Sequence, residues 1–121
     1  MTPSEAVNVY RASREYDSHH ITSWADSERD LSAWMGNAMQ QESITKVHSL
    51  ECEVLAVNDR ELLDSWAKMQ TSDHFYWMST KGGSDGLVHR YFTPYPGPQD
   101  AYDRFMNVLD DLQLRLRRAH E

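Results

Sequence analysis

Acidic side chains next to aromatic rings are the feature of this sequence best suited to chemistry. The stretch QTSDHFYWM, residues 70–78, places Asp73 and His74 directly before three aromatic residues. Asp26 and Asp30 lie in a second stretch of this kind, SWADSERDLSAW. A sugar ring offers apolar C–H faces that pack on aromatic rings, and its hydroxyls donate hydrogen bonds to carboxylates. Both stretches are therefore compatible with a carbohydrate-binding surface.

A purely structural role accounts for the same side chains. Asp26 and Asp30 are four residues apart, so on one helix they would share a face, with Arg29 nearby. Acids in the first turn of a helix stabilise its dipole, and Asp73 could do the same for a short helix of its own. His74 would then be an ordinary core or surface imidazole. The residues alone leave both alternatives open.

The three consecutive rings Phe75, Tyr76 and Trp77 limit how this stretch can be buried. Successive residues of a helix are rotated by about 100°, so three neighbours cannot all face one core. At least one ring must face a second surface. That surface belongs to a ligand, to a partner or to another part of a larger protein.

Other site chemistries have little support in the sequence. The six histidines include no His-Glu-x-x-His pattern, and no glutamate has a histidine three positions later, so we expect no metal site. Cys52 is the only cysteine and falls within a helical apolar stripe, which gives no sign of a reactive thiol or a nucleophilic triad. We expect no cofactor.

Size and charge exclude several further classes. The 121 residues suit one domain, 1–121, and are too few for a (β/α)₈ barrel of roughly 250 residues. The formal net charge of −7 argues against nucleic acid and against anionic membranes as partners. The N-terminus shows no signal-peptide pattern, and no apolar run is long enough to cross a bilayer. We therefore expect a cytoplasmic protein.

Apolar spacing predicts an all-α fold, a small bundle of four to five helices with one long loop. Thr2-Pro3-Ser4-Glu5 begins a short first helix, and Pro98 begins a long last helix. Residues 79–98 form the expected loop, in which Leu87 to Phe92 are compatible with a short strand. The longer helices of the bundle are expected over 23–36, 37–57 and 58–69, and Thr71-Ser72 can cap another short helix through Met78.

Several long stretches, taken together, resemble one known family. They are TPSEAV, SWADSERDLSAWMGNAMQ, WAKMQTSDHFYWMSTK and SDGLVHRYFTPYPGPQDAYDRFMNVLDDL. In this order they resemble the C-terminal helical region of α-amylase-like enzymes in family 57 of the glycoside hydrolases. The resemblance covers nearly the whole chain. Two positions depart from it, because Gly82-Gly83 replaces a larger residue and Trp77 stands where tyrosine is commoner.

The resemblance implies a role in binding α-glucan without catalysis by this chain. In that family two carboxylates on an upstream incomplete barrel perform a retaining reaction, and the C-terminal helices pack on the barrel and complete the substrate cleft. Neither the barrel nor the carboxylate pair is present here. The matching segments imply substrate-binding roles for six residues, namely Asp73, His74, Phe75, Tyr76, Trp24 and Asp26. The roles of Asp26 and Asp30 stay open.

The expected partners are thus the catalytic barrel of a parent enzyme and an α-glucan. An alternative is a non-enzymatic helical module that dimerises, since a domain built to cover a barrel leaves an apolar face bare. A third alternative is sugar binding by the chain on its own.

Overall fold

The computed structural model describes residues 1–120, and within them every regular element is a helix. The eight helical segments are α1 (Pro3–Val9), α2 (Ser32–Met35), α3 (Ala38–Ser49), α4 (Glu51–Val57), α5 (Arg60–Met69), α6 (Ser72–Tyr76), α7 (Gly83–Phe92) and α8 (Pro98–His120). The predicted all-α class is confirmed. The segments outnumber the four or five expected because short helices count separately and α3 is separated from α4 by Leu50. Among residues 1–120, none of the helices combines the length and the hydropathy of a membrane span.

The last helix, α8, is the centre of the main core. Its buried residues Phe105, Leu109, Leu112 and Leu116 recur every three or four positions and so form one apolar stripe. This stripe packs against α3, α4 and α5 and against Leu50 between the first two, and the buried residues there are Val47, Leu50, Val54, Leu62 and Met69. The indole N–H of Trp66 on α5 donates to the carbonyl oxygen of Val47 at 2.7 Å, which ties α5 to α3.

A second, smaller layer joins α2 and α6 to this core through one buried glutamine. Gln40 on α3 is fully buried, and its side-chain amide donates to the carbonyls of Ala33 at 2.8 Å and Phe75 at 2.9 Å. Its side-chain oxygen accepts from the backbone N–H groups of Gly36 and Asn37. All hydrogen-bonding capacity of the Gln40 side chain is thereby used, as burial requires.

The strand suggested for 87–92 and the long loop over 79–98 are both wrong, because α7 occupies Gly83–Phe92. Gly83 adopts a left-handed φ of 62° at the helix start, a conformation that glycine tolerates well. Val88 and Phe92 are four positions apart, so helical geometry places them on one face. The segment is helical even though valine, phenylalanine and tyrosine side chains favour strands, because a helix places its apolar residues on one face.

The helix predicted over 23–36 is also wrong for most of its length, since only Ser32–Met35 is helical. Residues 23–31 form a closed loop, here called the Trp24 loop. Asp26 and Arg29 have left-handed φ values of 58° and 54°, which no right-handed helix allows. Ser23 closes the loop by donating its backbone N–H to the carbonyl of Arg29 at 2.8 Å. Asp26 and Asp30 therefore do not share a helix face.

Candidate functional site

An open cleft of about 360 Å³ lies between the Trp24 loop, α2, α6 and α7. Aromatic and apolar side chains dominate its walls, with the carboxylate of Asp73 and the hydroxyls of Ser72 and Tyr76 among them. The lining residues are Trp24, Trp34, Ser72, Asp73, Tyr76, Trp77, Val88 and Phe92. Such a surface, mostly apolar with a few polar groups, is typical of ligand sites.

The rings of the cleft contact one another in sequence. Trp24 meets the edge of Trp34 with ring centroids 6.1 Å apart and an interplanar angle of 76°. Trp34 in turn lies 6.2 Å from Tyr76. The Trp24 side chain is 78% exposed, an unusual state for so large an apolar group. It therefore presents a ring to whatever enters the cleft.

Three of the six predicted site residues line this cleft. Trp24 and Asp73 are exposed there, and the ring of Tyr76 forms part of its floor while remaining 8% exposed. Asp73 lies in the first turn of α6, which accounts for its other expected role as a helix-dipole acid. The structure thus unites Trp24 and Asp73, which are far apart in the sequence.

His74 and Phe75 face away from the cleft. The Phe75 side chain is 6% exposed and packs in the core, 5.5 Å from the ring of Phe105. The His74 ring lies between Trp77 and Phe105 and lines a separate, smaller cavity of about 80 Å³. Neighbouring residues of α6 thus face different surfaces, as the helical rotation of about 100° per residue requires.

Asp26 lies behind the cleft in a buried ion cluster. Its side chain is 4% exposed and accepts a hydrogen bond from the Lys81 ammonium at 2.8 Å. The Nε2 atom of His89, also 4% exposed, lies 3.0 and 2.9 Å from the two carboxylate oxygens of Asp26. Lys81 additionally contacts Glu28 at 2.8 Å and the hydroxyl of Ser32 at 2.7 Å.

The cluster shifts the ionisation of its members. Burial raises the pKa of Asp26, but hydrogen bonds from Lys81 and His89 outweigh burial and hold the pKa below its ordinary value of 3.8. Burial lowers the pKa of Lys81, and hydrogen bonds to Asp26 and Glu28 reverse the effect and raise it above 10.5. Both groups are charged at neutral pH, so Lys81 cannot act as a general base toward Ser32.

His89 connects the cluster to the cleft. Its Nδ1 atom lies 3.1 Å from the carbonyl oxygen of Tyr76, which can only accept, so Nδ1 must carry a hydrogen. The imidazole also stacks on the Tyr76 ring at a centroid distance of 3.9 Å. His89 thus contacts both the backbone and the ring of Tyr76, which lines the cleft.

The lining of the aromatic cleft lacks the carboxylate pair of a retaining glycoside hydrolase. Retaining glycoside hydrolysis needs two carboxyl groups about 5–5.5 Å apart, whereas the lining of the cleft includes one carboxylate, Asp73. Residues 82–86, GGSDG, have the Gly-x-Ser-x-Gly spacing of a nucleophile elbow. The prediction that the chain has no nucleophilic triad did not take this match into account. An elbow requires a strand before the serine, but Ser84 lies in the first turn of α7. Within residues 1–120, no group of three or more His, Cys, Asp or Glu side chains could hold a metal ion.

Sequence reasoning missed the residues that α7 contributes. Val88 and Phe92 line the cleft and His89 supports it, but the strand interpretation of 87–92 hid their placement. The four-residue spacing of Val88 and Phe92 is the sequence signal that could have placed both on one face of a helix. No sequence feature near Lys81 indicates its role, because its partner Asp26 is 55 positions away.

Comparison with known proteins found one similar sequence region. No family model matches the chain, and no solved structure matches it. It is 37% identical over 124 aligned residues to a protein from Methanocaldococcus jannaschii whose name is "Putative alpha-amylase". The alignment covers 94% of this chain but only 27% of that protein. The chain is therefore similar, over nearly its whole length, to one part of a longer α-amylase-like protein.

Proposed function

We propose that this chain is the helical C-terminal domain of an α-amylase-like enzyme of glycoside hydrolase family 57, which packs on the catalytic part and completes its α-glucan cleft. The domain is not catalytic alone. The observation that carries the proposal is the open aromatic cleft, in which Trp24, Trp34 and Asp73 come together. The similarity to an α-amylase-like protein supports it.

The chemistry of the cleft suits an oligosaccharide. The exposed Trp24 ring offers a flat apolar face on which the C–H face of a glucose unit can pack. The Asp73 carboxylate accepts hydrogen bonds from sugar hydroxyls, and the Ser72 hydroxyl both donates and accepts. Binding by such contacts needs no further group in the cleft.

The outer face of α7 is proposed to dock on the catalytic part. Leu87 and Tyr91 are 62% and 82% exposed and lie four positions apart on this helix. Their neighbours Val88 and Phe92 belong to the cleft, so the docking face and the cleft are continuous. Most of the M. jannaschii relative lies outside the aligned region, which is consistent with a separate catalytic part in that protein.

Calorimetric titration with maltoheptaose tests glucan binding. We expect saturable, weak binding to the unmodified chain and roughly tenfold weaker binding to Trp24→Ala, because a lost ring contact is worth about 1 kcal/mol or more. Tyr16→Ala is the matched control, since Tyr16 is an exposed aromatic residue, 91% accessible, that does not line the cleft. No binding, or equal weakening by both substitutions, would contradict the proposal.

The same samples test whether the chain is catalytic. Because one carboxylate lines the cleft, we expect no increase in reducing ends when the chain is incubated with maltoheptaose. Turnover that Asp73→Ala abolishes would show that a catalytic centre lies in this chain.

The alternative function, a helical module that dimerises, rests on the same exposed face of α7. It predicts a dimer in sedimentation velocity that Tyr91→Ser dissociates. The docking proposal predicts instead that the remainder of the M. jannaschii relative, produced without the aligned segment, binds this chain and displaces any dimer. Failure of that mixture to associate favours the independent module.

A further inference from the structure

We propose that Asp26 and His89 are positioning residues, which together with Lys81 clamp the Trp24 loop and α7 into the arrangement that forms the cleft. They hold the ring-bearing walls in place without contacting the ligand. The ligand assignment rests on the proposed function, whereas the clamp can be tested without any sugar.

Asp26 and His89 each lie close in sequence to a wall of the cleft. Asp26 follows Trp24 by two residues in the same loop, and His89 directly follows Val88 on α7. The two side chains meet at 2.9 Å although 63 positions separate them. The contact therefore fixes the Trp24 loop against α7, and both segments contribute walls of the cleft.

A third wall, α6, is held by the other ring nitrogen of His89. Nδ1 donates to the backbone carbonyl of Tyr76, and the ring stacks on the Tyr76 side chain. Nε2 lies 3.0 and 2.9 Å from the two carboxylate oxygens of Asp26, so the two ring nitrogens contact two different segments. A single buried side chain thus ties α6, α7 and the Trp24 loop together.

The ion cluster imposes stricter requirements on charge and geometry than an apolar contact would. Asp26 sits at a left-handed φ of 58°, and its carboxylate is nearly inaccessible to water. An ionised group in such a place is tolerated only with good partners, so removing one partner leaves a charge unpaired. The walls consequently depend on charge and geometry at Asp26 as well as on filled volume.

Two further contacts near the clamp support the same arrangement. Asp85, in the first turn of α7, accepts hydrogen bonds from the hydroxyl of Ser27 at 2.7 Å and from its backbone N–H at 3.2 Å. Gly86 is buried, and a methyl group at its Cα would lie 2.2 Å from the carbonyl oxygen of Lys81. The start of α7 can therefore approach Lys81 only because residue 86 has no side chain.

Fluorine NMR of the full chain labelled with 5-fluorotryptophan tests the clamp in the absence of sugar. Each of the four signals is assigned by a single Trp-to-Phe substitution. In Asp26→Asn we expect the Trp24 and Trp34 signals to shift or broaden, since the amide cannot accept from Lys81 and His89 as a carboxylate does. We expect the signal of Trp66, whose indole is bonded to Val47 in the core, to stay in place.

The matched control is Asp64→Asn. Asp64 also pairs with a lysine, Lys68, at 2.6 Å, but both side chains are well exposed. It should leave all four signals unchanged. Unmoved Trp24 and Trp34 signals in Asp26→Asn, or a change of all four together, would overturn the positioning role, because a merely structural residue affects the whole fold.

Lys81→Met keeps the proposal testable if Asp26→Asn does not fold. It removes one cation but leaves the Asp26–His89 contact, so we expect a smaller movement of the Trp24 signal and an unchanged Trp66 signal. An unmoved Trp24 signal in this variant as well would overturn the proposal.

A maltoheptaose titration of the same variants separates this inference from the proposed function. If both hold, Asp26→Asn binds about tenfold more weakly although Asp26 does not line the cleft, because a displaced contact surface loses affinity. If the unmodified chain does not bind, the proposed function fails, while the NMR result still decides the clamp. If the unmodified chain binds maltoheptaose and Asp26→Asn binds it equally well, the clamp is contradicted and the proposed function is not.

Discussion

The core around α8 and the cleft between the Trp24 loop, α6 and α7 are held together by different forces. In the core, Leu109, Leu112 and Leu116 are each at most 2% exposed, and the contacts between helices are apolar. Behind the cleft, a carboxylate, an ammonium and an imidazole meet in a buried cluster. One region depends on filled volume, the other on paired charge.

The difference predicts how each region fails. An apolar core loses stability in proportion to the cavity that a truncation leaves, and it loses it for the whole fold. A charge cluster fails when one partner is removed or neutralised, and the damage stays near the segments that it joins. The cleft can therefore be disturbed while the helical bundle persists.

Leu109→Ala should give the largest effect. Leu109 is fully buried against α3, α4 and α5, so we expect a loss of about 3–4 kcal/mol in the free energy of unfolding. Urea unfolding followed by circular dichroism measures this loss. Val108→Ala, at a position that is 56% exposed, should cost less than about 1 kcal/mol. Similar costs for the two variants would contradict the role of α8 as the core helix.

Gly86→Ala should give an intermediate effect. The added methyl group would lie 2.2 Å from the Lys81 carbonyl oxygen, so α7 must shift, at a cost of about 1–3 kcal/mol. Gly82→Ala is the matched control, because nothing lies within 4 Å of a Cβ there, and we expect a change within about 0.5 kcal/mol. Thermal unfolding of both variants measures the difference. Equal behaviour would show that α7 does not need its close approach to Lys81.

The core could be predicted from the sequence because its apolar residues recur at short, regular intervals along the chain. Phe105, Leu109, Leu112 and Leu116 repeat at helical spacing, and the Thr2–Glu5 capping box forms as its residue types predict. Asp73, Tyr76 and Trp24 were selected from resemblance and from the chemistry of rings beside acids, and the structure brings these three together. Their role in binding glucan stays a prediction.

The arrangement around Asp26 could not be predicted because its partners are remote. Lys81 and His89 lie 55 and 63 positions beyond Asp26, and single-sequence patterns contain no signal for such pairs. Apolar spacing at Leu31, Trp34 and Met35 favoured the wrong helix over 23–36, and on that helix the acid had an ordinary explanation in the helix dipole. The left-handed backbone at Asp26 is stabilised by tertiary contacts that no local propensity reveals.

Acid should disturb the cleft while sparing the core. Because the pKa of Asp26 is lowered in the folded state, its stabilising contribution is full above about pH 4 and is lost as pH falls through the lowered value. We expect the fluorine signal of Trp24 to move below pH 3.8 in a step that Asp26→Asn lacks. The charged or titratable groups that face this site are Lys81, His89, Tyr76, Glu28 and Asp85. Simultaneous change of the Trp24 and Trp66 signals would indicate global unfolding and contradict a separate failure of the cleft.

Trp24→Ala should have the smallest effect on stability. The side chain is 78% exposed, so we expect a change within about 0.5 kcal/mol in urea unfolding. A residue that contributes little to folding but is needed for binding identifies a functional surface. A loss of several kcal/mol would instead make Trp24 a structural residue.

The most direct test of the central claim is a maltoheptaose titration of the unmodified, fluorotryptophan-labelled chain, followed by fluorine NMR. Trp24 and Trp34 line the aromatic cleft, whereas Trp66 lies on the core side of α5. The account predicts that the Trp24 and Trp34 signals move along a saturable curve and that the Trp66 signal stays fixed. Signals that do not respond to the sugar, or a response at Trp66 alone, would contradict a glucan-binding role for this cleft.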